Sequence, residues 1–311
     1  MKEFLITLDI MLPLLLMLVL GAFLRRIGLI PENVTLALNK LIFKVFLPVL
    51  LFNNIRTLDT TVLPSLGYAG YIFLSVLILY AVLSLITPRL VKSVAQSTVT
   101  VQALFRTNFA ILGIPLMEAI FGQAGMASVA LALPVVIPTF NVLAVFALAP
   151  CSGKADLRGT LKKIITNPLI IGVALGAVCL LLGNPLPHVA NEFCSDLASM
   201  VSPLSLLVLG ASLRWQGLKQ NRKLICWTLL FKQLIFPLVF TGLAVLLGFR
   251  NMELGVIVIL FGAPTAVSSF PMAQAMGGDG ELAASYVALT TICSMGTLFL
   301  LIYLCKLCAF F

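Results

Sequence analysis

Arg106, Asn108, Thr265 and Ser268 are the side chains best placed to do chemistry, because each lies within a strongly apolar stretch rather than in a loop. The guanidinium of Arg106 stays charged and can clamp a carboxylate in bidentate fashion. Asn108, two residues on, offers both amide donors and an acceptor to such a group. Two glycine–proline motifs accompany them, Gly113-Ile114-Pro115 and Gly262-Ala263-Pro264. Proline removes an amide donor and collides with the carbonyl four residues back. In lipid the freed backbone groups must be satisfied by protein, water or ligand, and corresponding breaks in two halves of a chain point to a transport site. Arg106, Asn108, Gly113, Pro115, Gly262, Pro264, Thr265 and Ser268 therefore form the candidate substrate-binding set. Ser269 and Gln274, with Thr265 and Ser268, offer oxygens to substrate or a cation. Alternatives stand beside this set: Arg106 as a structural cation held by carbonyls or an acid, Asn108 as a helix cap, and the Ser and Thr hydroxyls bonded to their own helix backbone.

Other titratable groups are candidates for coupling to an ion gradient. Lys232 lies deep in an apolar stretch, while Asp9 and Glu118 fall near the outer ends of theirs, where facing water is an equally simple role. Lys40 and Lys44, four residues apart, read as snorkelling cations. His188 sits in a short loop beside Pro185 and Pro187. The seven cysteines show no framework spacing, and the single pair Cys305-x-x-Cys308 lacks the second pair or histidine that a metal site needs. No cofactor is expected beyond H+ or Na+ as a coupling ion.

The elements that must position these groups are membrane helices. Of 311 residues, 61% are hydrophobic and only 10% charged, against roughly 45–50% and 25% in an ordinary soluble domain. Mean hydropathy is +1.14. Ten apolar runs, at 4–24, 36–55, 66–86, 96–121, 125–149, 164–183, 195–212, 224–248, 252–276 and 282–308, approach or exceed the ~18–20 residues that cross hydrocarbon. The first is followed by Arg25-Arg26 rather than a small-residue cleavage site, so it reads as a retained helix. Arg106 falls about ten residues into the fourth run, ~15 Å deep at ~1.5 Å per residue, where a charge is a functional hypothesis by default.

The net charge of +9 does not point to nucleic acid, since the basic residues sit in short loops. Twelve follow odd-numbered spans (Arg25, Arg26, Arg89, Lys92, Lys154, Arg158, Lys162, Lys163, Arg214, Lys219, Arg222, Lys223), and four lie on the opposite side (Lys2, Arg56, Arg250, Lys306). The positive-inside rule then places both termini outside a cell membrane. Five spans in residues 1–150 and five in 164–311, joined by a cytoplasmic loop at 151–163, insert with opposite orientation, so similarity between halves marks an inverted repeat. Such similarity is present. Pro48 in the second span has a counterpart in Pro203 of the seventh, and Gly113-Ile114-Pro115, Gly122-Gln123-Ala124-Gly125 and Ser128-Val129-Ala130-Leu131 recur in order as Gly262-Ala263-Pro264, Gly277-Gly278-Asp279-Gly280 and Tyr286-Val287-Ala288-Leu289.

The segment Phe105-Arg106-Thr107-Asn108-Phe109-Ala110-Ile111-Leu112-Gly113-Ile114-Pro115-Leu116, followed by Phe121-Gly122, resembles the fourth helix of the auxin efflux carrier family, which includes plant PIN-type auxin carriers and bacterial malate and malonate carriers. Thr166-Asn167-Pro168 and Leu209-Gly210-Ala211-Ser212-Leu213 are also similar to that family. The resemblance implies an all-α polytopic protein working by an elevator mechanism: helices 1, 2, 6 and 7 form a scaffold, and helices 3–5 and 8–10 a moving domain in which helices 4 and 9 cross at their proline breaks. It further implies that Asn108 contacts substrate, that Pro115 and Pro264 are the crossing prolines, and that the protein is a homodimer. The loop after the fifth span is only ~13 residues long, which favours a bacterial organic-anion carrier over an auxin carrier proper.

The function expected is secondary active transport of a small carboxylate across the plasma membrane, with membrane lipids as surroundings and no nucleic-acid partner. A sodium-coupled bile-acid-type symporter is the rival within transport. A membrane-embedded enzyme finds no support: one histidine excludes H-E-x-x-H chemistry, and neither G-x-S-x-G nor a Walker motif occurs. A sensor would need an appended signalling domain, and none is apparent.

Overall fold

The computed structural model describes residues 2–57, 65–152, 166–213 and 220–310, with the side chains of 2–11 and of Gln123 left aside. The basic residues Lys154, Arg158, Lys162, Lys163, Arg214 and Lys219, and most of the 151–163 connection, lie outside the described residues, as does the Asp9 side chain.

The described chain is all-helical. Its helices are α1 (Lys2–Arg26), α2 (Glu32–Leu41), α3 (Leu47–Arg56), α4 (Leu66–Leu90), α5 (Val94–Phe105), α6 (Phe109–Phe121), α7 (Gln123–Leu148), α8 (Pro168–Leu181), α9 (His188–Ser212), α10 (Arg222–Leu230), α11 (Phe236–Leu246), α12 (Asn251–Gly262), α13 (Ser269–Ala275) and α14 (Gly280–Leu307). Six rods among the described residues are long and apolar enough to cross a membrane: Glu32–Arg56, Leu66–Leu90, Ala124–Cys151, His188–Ser212, Arg222–Leu246 and Gly280–Leu307. The run at 164–183 yields only the 14 residues of α8, about 21 Å of helix. Local chemistry sets several starts. Asn167 Oδ1 accepts from Leu169 N at 2.9 Å ahead of Pro168, and Asp279 Oδ1 accepts from Leu282 N at 2.9 Å, both N-caps of the usual kind.

Two rods contain a π turn, and each turn immediately precedes a proline. Between α2 and α3, Ile42–Phe46 widens so that Leu47 N–H reaches Ile42 O, just before Pro48. Between α10 and α11, Phe231–Ile235 does the same, with Phe236 N–H reaching Phe231 O before Pro237. A wider turn relieves the clash of the pyrrolidine ring with the carbonyl four residues back. Pro203, the sequence counterpart of Pro48, lies instead inside the uninterrupted α9. The recurrence between those two prolines is therefore not a recurrence of local structure.

The core is apolar, but the exterior, unlike that of a water-soluble protein, is apolar as well. Large apolar side chains such as Phe23, Leu85, Leu175, Leu181 and Leu246 are exposed, while Arg106, Asn108, Asn141, Lys232, Thr265 and Ser269 are buried. A continuous apolar exterior of this kind fits hydrocarbon as its solvent.

Packing is tightest in two pairs, α1 on α9 and α3 on α8. A Cβ placed on Gly210 would lie 2.0 Å from Leu18 O, and one on Gly172 would lie 2.4 Å from Pro48 O. In both seams backbone meets backbone, the mode that small residues allow where lipid supplies no hydrophobic drive.

Elsewhere, two helices are interrupted. The fourth expected span breaks between α5 and α6 at residues 106–108, and the ninth between α12 and α13 at residues 263–268. Pro264 lies in its break. Pro115 does not: it sits inside α6, well past the interruption, so the expectation that Pro115 itself unwinds the helix is corrected. What holds the first break open is non-local. Thr107 and Thr265 form an antiparallel bridge, with Asn108 N donating to Pro264 O at 2.7 Å and Ala266 N to Arg106 O at 3.3 Å. Backbone groups freed by one interruption are satisfied by those of the other.

Candidate functional site

A cavity of about 200 Å³ opens where the two breaks meet. The first break contributes Arg106, Thr107 and Asn108, the second contributes Ala266, Val267 and Ser268, and α3, α6, α7 and α9 supply the remaining wall, including Asn54, Asn141 and Ser202.

Arg106 is placed by the chain leaving α5. Its backbone turns extended (φ −85°, ψ 119°) while its N–H still closes the last turn on Gln102 O at 3.0 Å. The side chain is 4% exposed. Nη2 donates to Asn141 Oδ1 at 2.8 Å, and Nη1 lies 2.7 Å from the Met272 thioether sulfur of α13. Both partners are neutral, and among the described residues no carboxylate pairs with this guanidinium. A buried cation lacking an acidic partner is expensive, and an anion in the adjoining cavity would offset that cost.

Asn108 contributes a second unfilled donor. Its backbone N–H is engaged with Pro264 O, yet Nδ2 is buried with no hydrogen-bond partner among the described residues, and so is Thr107 Oγ1. Ser268 lines the cavity at the N-cap of α13, its hydroxyl making no cap hydrogen bond. Guanidinium, carboxamide N–H and two hydroxyls thus converge on one space, a donor-rich set that suits a carboxylate.

The remaining candidates divide by role. Thr265 Oγ1 donates to Ala103 O at 2.9 Å and Thr265 N donates to Thr290 Oγ1 at 3.1 Å, so this residue fastens the crossing. Pro264 supplies the carbonyl for Asn108. Gly113 packs against the Phe109 ring and Val129, and Gly262 against Leu298 and Leu301. Gly113, Pro115 and Gly262 do not line the cavity. Glu118 is exposed in the last turn of α6. Lys232 is 1% exposed in the second π turn, its Nζ donating to Leu104 O at 3.1 Å. Arg56, counted on sequence among loop charges, is 4% exposed and held by Asn53, Asn184 and Asn191.

Sequence reasoning missed Asn141 and Met272. A carboxamide within the apolar run Leu131–Leu148 was the available signal, since polar groups at membrane depth face partners or cavities. Met272 carried no such signal. A second cleft, also about 200 Å³, lies beyond α13 and includes Arg25, Glu32, Thr35, Ser212, Gln274 and Glu281. Asn39 Nδ2 donates to Gln274 Oε1 beside it, joining α2 to α13. Phe270 and Gln274 of the short α13 line this cleft, while its N-cap Ser268 lines the cavity.

Comparison with known proteins points to a membrane transporter. A family described as membrane transport protein matches residues 6–302. An uncharacterized transporter of Methanothermobacter thermautotrophicus is 24% identical over 304 residues, covering 93% of this chain and 95% of that protein. An uncharacterized transporter of Methanocaldococcus jannaschii is 24% identical, covering 93% and 96%. A Rhizobium meliloti protein named "Putative malonate transporter" is 26% identical over 285 residues, covering 86% of each chain.

Proposed function

The chain belongs to the membrane transport protein family, that of the auxin efflux carriers, and from that premise we propose that it is a secondary carrier of a small carboxylate, bound at the crossing of the two broken helices. It is a transporter and not an enzyme. The observation that carries the substrate class is the buried Arg106 guanidinium beside the cavity, with neutral partners only and with Asn108 Nδ2 unfilled next to it. Malonate is the first candidate, from the name of one relative, and its two carboxylates could engage Arg106 and Asn108 together.

In this proposal the fold is ten spans in a 5+5 inverted repeat, with α5–α6 and α12–α13 as the broken pair and both termini extracytoplasmic. The glycine-seamed helices α1, α3, α8 and α9 serve as the scaffold, the crossing and its neighbours move as an elevator, and two copies form a dimer. The second break supports alternating access: Ser268 at its end lines the cavity, while Phe270 and Gln274 of the α13 that follows line the cleft.

The test is uptake of labelled malonate, other dicarboxylates, monocarboxylates and indole-3-acetate into proteoliposomes under imposed proton, sodium and voltage gradients. Wild-type protein should accumulate one of these acids. Arg106→Ala should bind it on the order of 100-fold more weakly, since a charge-assisted hydrogen bond is worth up to about 3 kcal/mol, while eluting as a folded, monodisperse species. Arg106→Lys should stay impaired, because an ammonium cannot reproduce the planar fork. Wild-type uptake by the alanine variant would remove Arg106 from the site.

A further inference from the structure

The end of α5 offers a second site of interest, apart from the cavity. A helix C-terminus carries roughly half a negative charge on carbonyls that lack intrahelical partners. In transporters with interrupted helices, such carbonyl ends coordinate the coupling cation. Here three carbonyls of the last turn are occupied from within the chain. Gln102 O accepts from Arg106 N at 3.0 Å, Ala103 O from Thr265 Oγ1 at 2.9 Å, and Leu104 O from Lys232 Nζ at 3.1 Å.

Lys232 reaches that carbonyl from the π turn Phe231–Ile235, which packs on α5, α12 and α14 as well as on its own rod. The turn also holds Gln233, whose Nε2 donates to Thr290 O at 3.3 Å while its Oε1 accepts from Thr297 Oγ1 at 2.9 Å. The facing surfaces are thus hydroxyls and carbonyls. Among the described residues no carboxylate pairs with Lys232. A fully buried ammonium without an acid is costly, and a neutral side chain could have filled the same volume. What the charge matches is the negative end of α5.

We infer that the Lys232 ammonium is a resident cation of the crossing, occupying from within the chain the place at the carbonyl end of α5 that an alkali ion would otherwise take, so that the anion is carried without sodium. The inference rests on the carrier reading above for its meaning, but its first test does not need the substrate. It also separates this chain from a sodium-coupled bile-acid-type mechanism.

Thermal unfolding of purified protein in choline chloride, with additions of sodium chloride, propylammonium chloride or 1-propanol, is the experiment. Wild type should show one midpoint in choline and in sodium. Lys232→Ala should unfold on the order of 5 °C lower, recovering with propylammonium, which replaces the deleted atoms from Cγ to Nζ, and partly with sodium, but not with propanol. Lys232→Gln, which keeps a neutral donor in the same place, should fold, unfold earlier than wild type, and gain from sodium. Equal rescue of Lys232→Ala by propanol would make the lysine a packing element and overturn the inference. So would a Lys232→Gln protein indistinguishable from wild type, or a wild-type midpoint that rises with sodium. In proteoliposomes, wild-type malonate uptake should be equal in sodium and choline, and Lys232→Gln should be at least ~10-fold slower, with sodium restoring part of the rate. Absence of uptake by wild type would count against malonate as substrate, while the unfolding midpoints decide the role of Lys232.

Discussion

The α1–α9 and α3–α8 seams and the crossing at Thr107–Thr265 solve the same problem, contact between helices in lipid, by opposite means. In the seams, side chains are removed until carbonyls touch Cα atoms, as at Gly210 against Leu18 and Gly172 against Pro48. At the crossing, side chains are added: Thr265 and Lys232 donate to carbonyls at the end of α5, Arg106 donates to Asn141, and Asn108 Nδ2 has no partner among the described residues. The first solution leaves no capacity over and fixes a distance. The second leaves capacity that only a ligand fills. A frame should come from the former and a binding site from the latter, which is why substitutions in the two regions should have separable effects.

The largest effect is expected in a seam. Gly210→Val forces a branched side chain into a space where even a Cβ would meet Leu18 O at 2.0 Å. Neither backbone can yield cheaply, and overpacking of this kind costs about 1–3 kcal/mol or more. Size-exclusion chromatography should show loss of the monodisperse protein, and any folded remainder should bind substrate with unchanged affinity. A stable, well-expressed Gly210→Val protein would dissolve the contrast between seam and crossing.

Next comes Asn108→Asp. The side chain is nearly isosteric, but it places a carboxylate in the cavity that Arg106 lines. Substrate binding should fall by on the order of 100-fold through like-charge repulsion and competition for the guanidinium, with the unfolding midpoint equal to or above that of wild type. Titration calorimetry together with thermal melts checks both halves, and unchanged affinity would place the anion elsewhere.

The smallest effect sharpens the boundary between regions. Thr265→Val deletes the hydroxyl that donates to Ala103 O and should cost about 1–2 kcal/mol, or about 2–4 °C in midpoint for each kcal/mol. Thr265→Ser should restore most of it. Because Thr265 fastens the crossing and does not line the cavity, affinity should change less than for Asn108. A reversed ranking would move Thr265 into the site.

Much of this was legible in the sequence, and the exceptions have physical reasons. Apolar runs located the rods, since a helix in lipid must be apolar over most of its length, and of the glycine–proline motifs Gly262-Ala263-Pro264 located the second interruption. The other motif misplaced the first interruption, expected at Pro115 and found at 106–108. One proline inside α6 forfeits a single hydrogen bond, whereas the bridge between Thr107 and Thr265 supplies two at once across more than 150 residues of sequence, and no local pattern records that pairing. Of the eight substrate-site candidates, Arg106, Asn108 and Ser268 line the cavity because polar side chains at membrane depth must be used. The glycines and prolines shape helices instead. Asn141, which orients the guanidinium, escaped notice because one carboxamide in an apolar run announces no partner.

The lone rung between residues 107 and 265 has a mechanical consequence. It ties two segments from opposite halves of the chain at a point where neither is helical, so movement of one alone would break two backbone hydrogen bonds. The amides of Asn108 and Ala266, each locked by the other strand, should then trade their hydrogens for solvent deuterium in lockstep, as a single latch would.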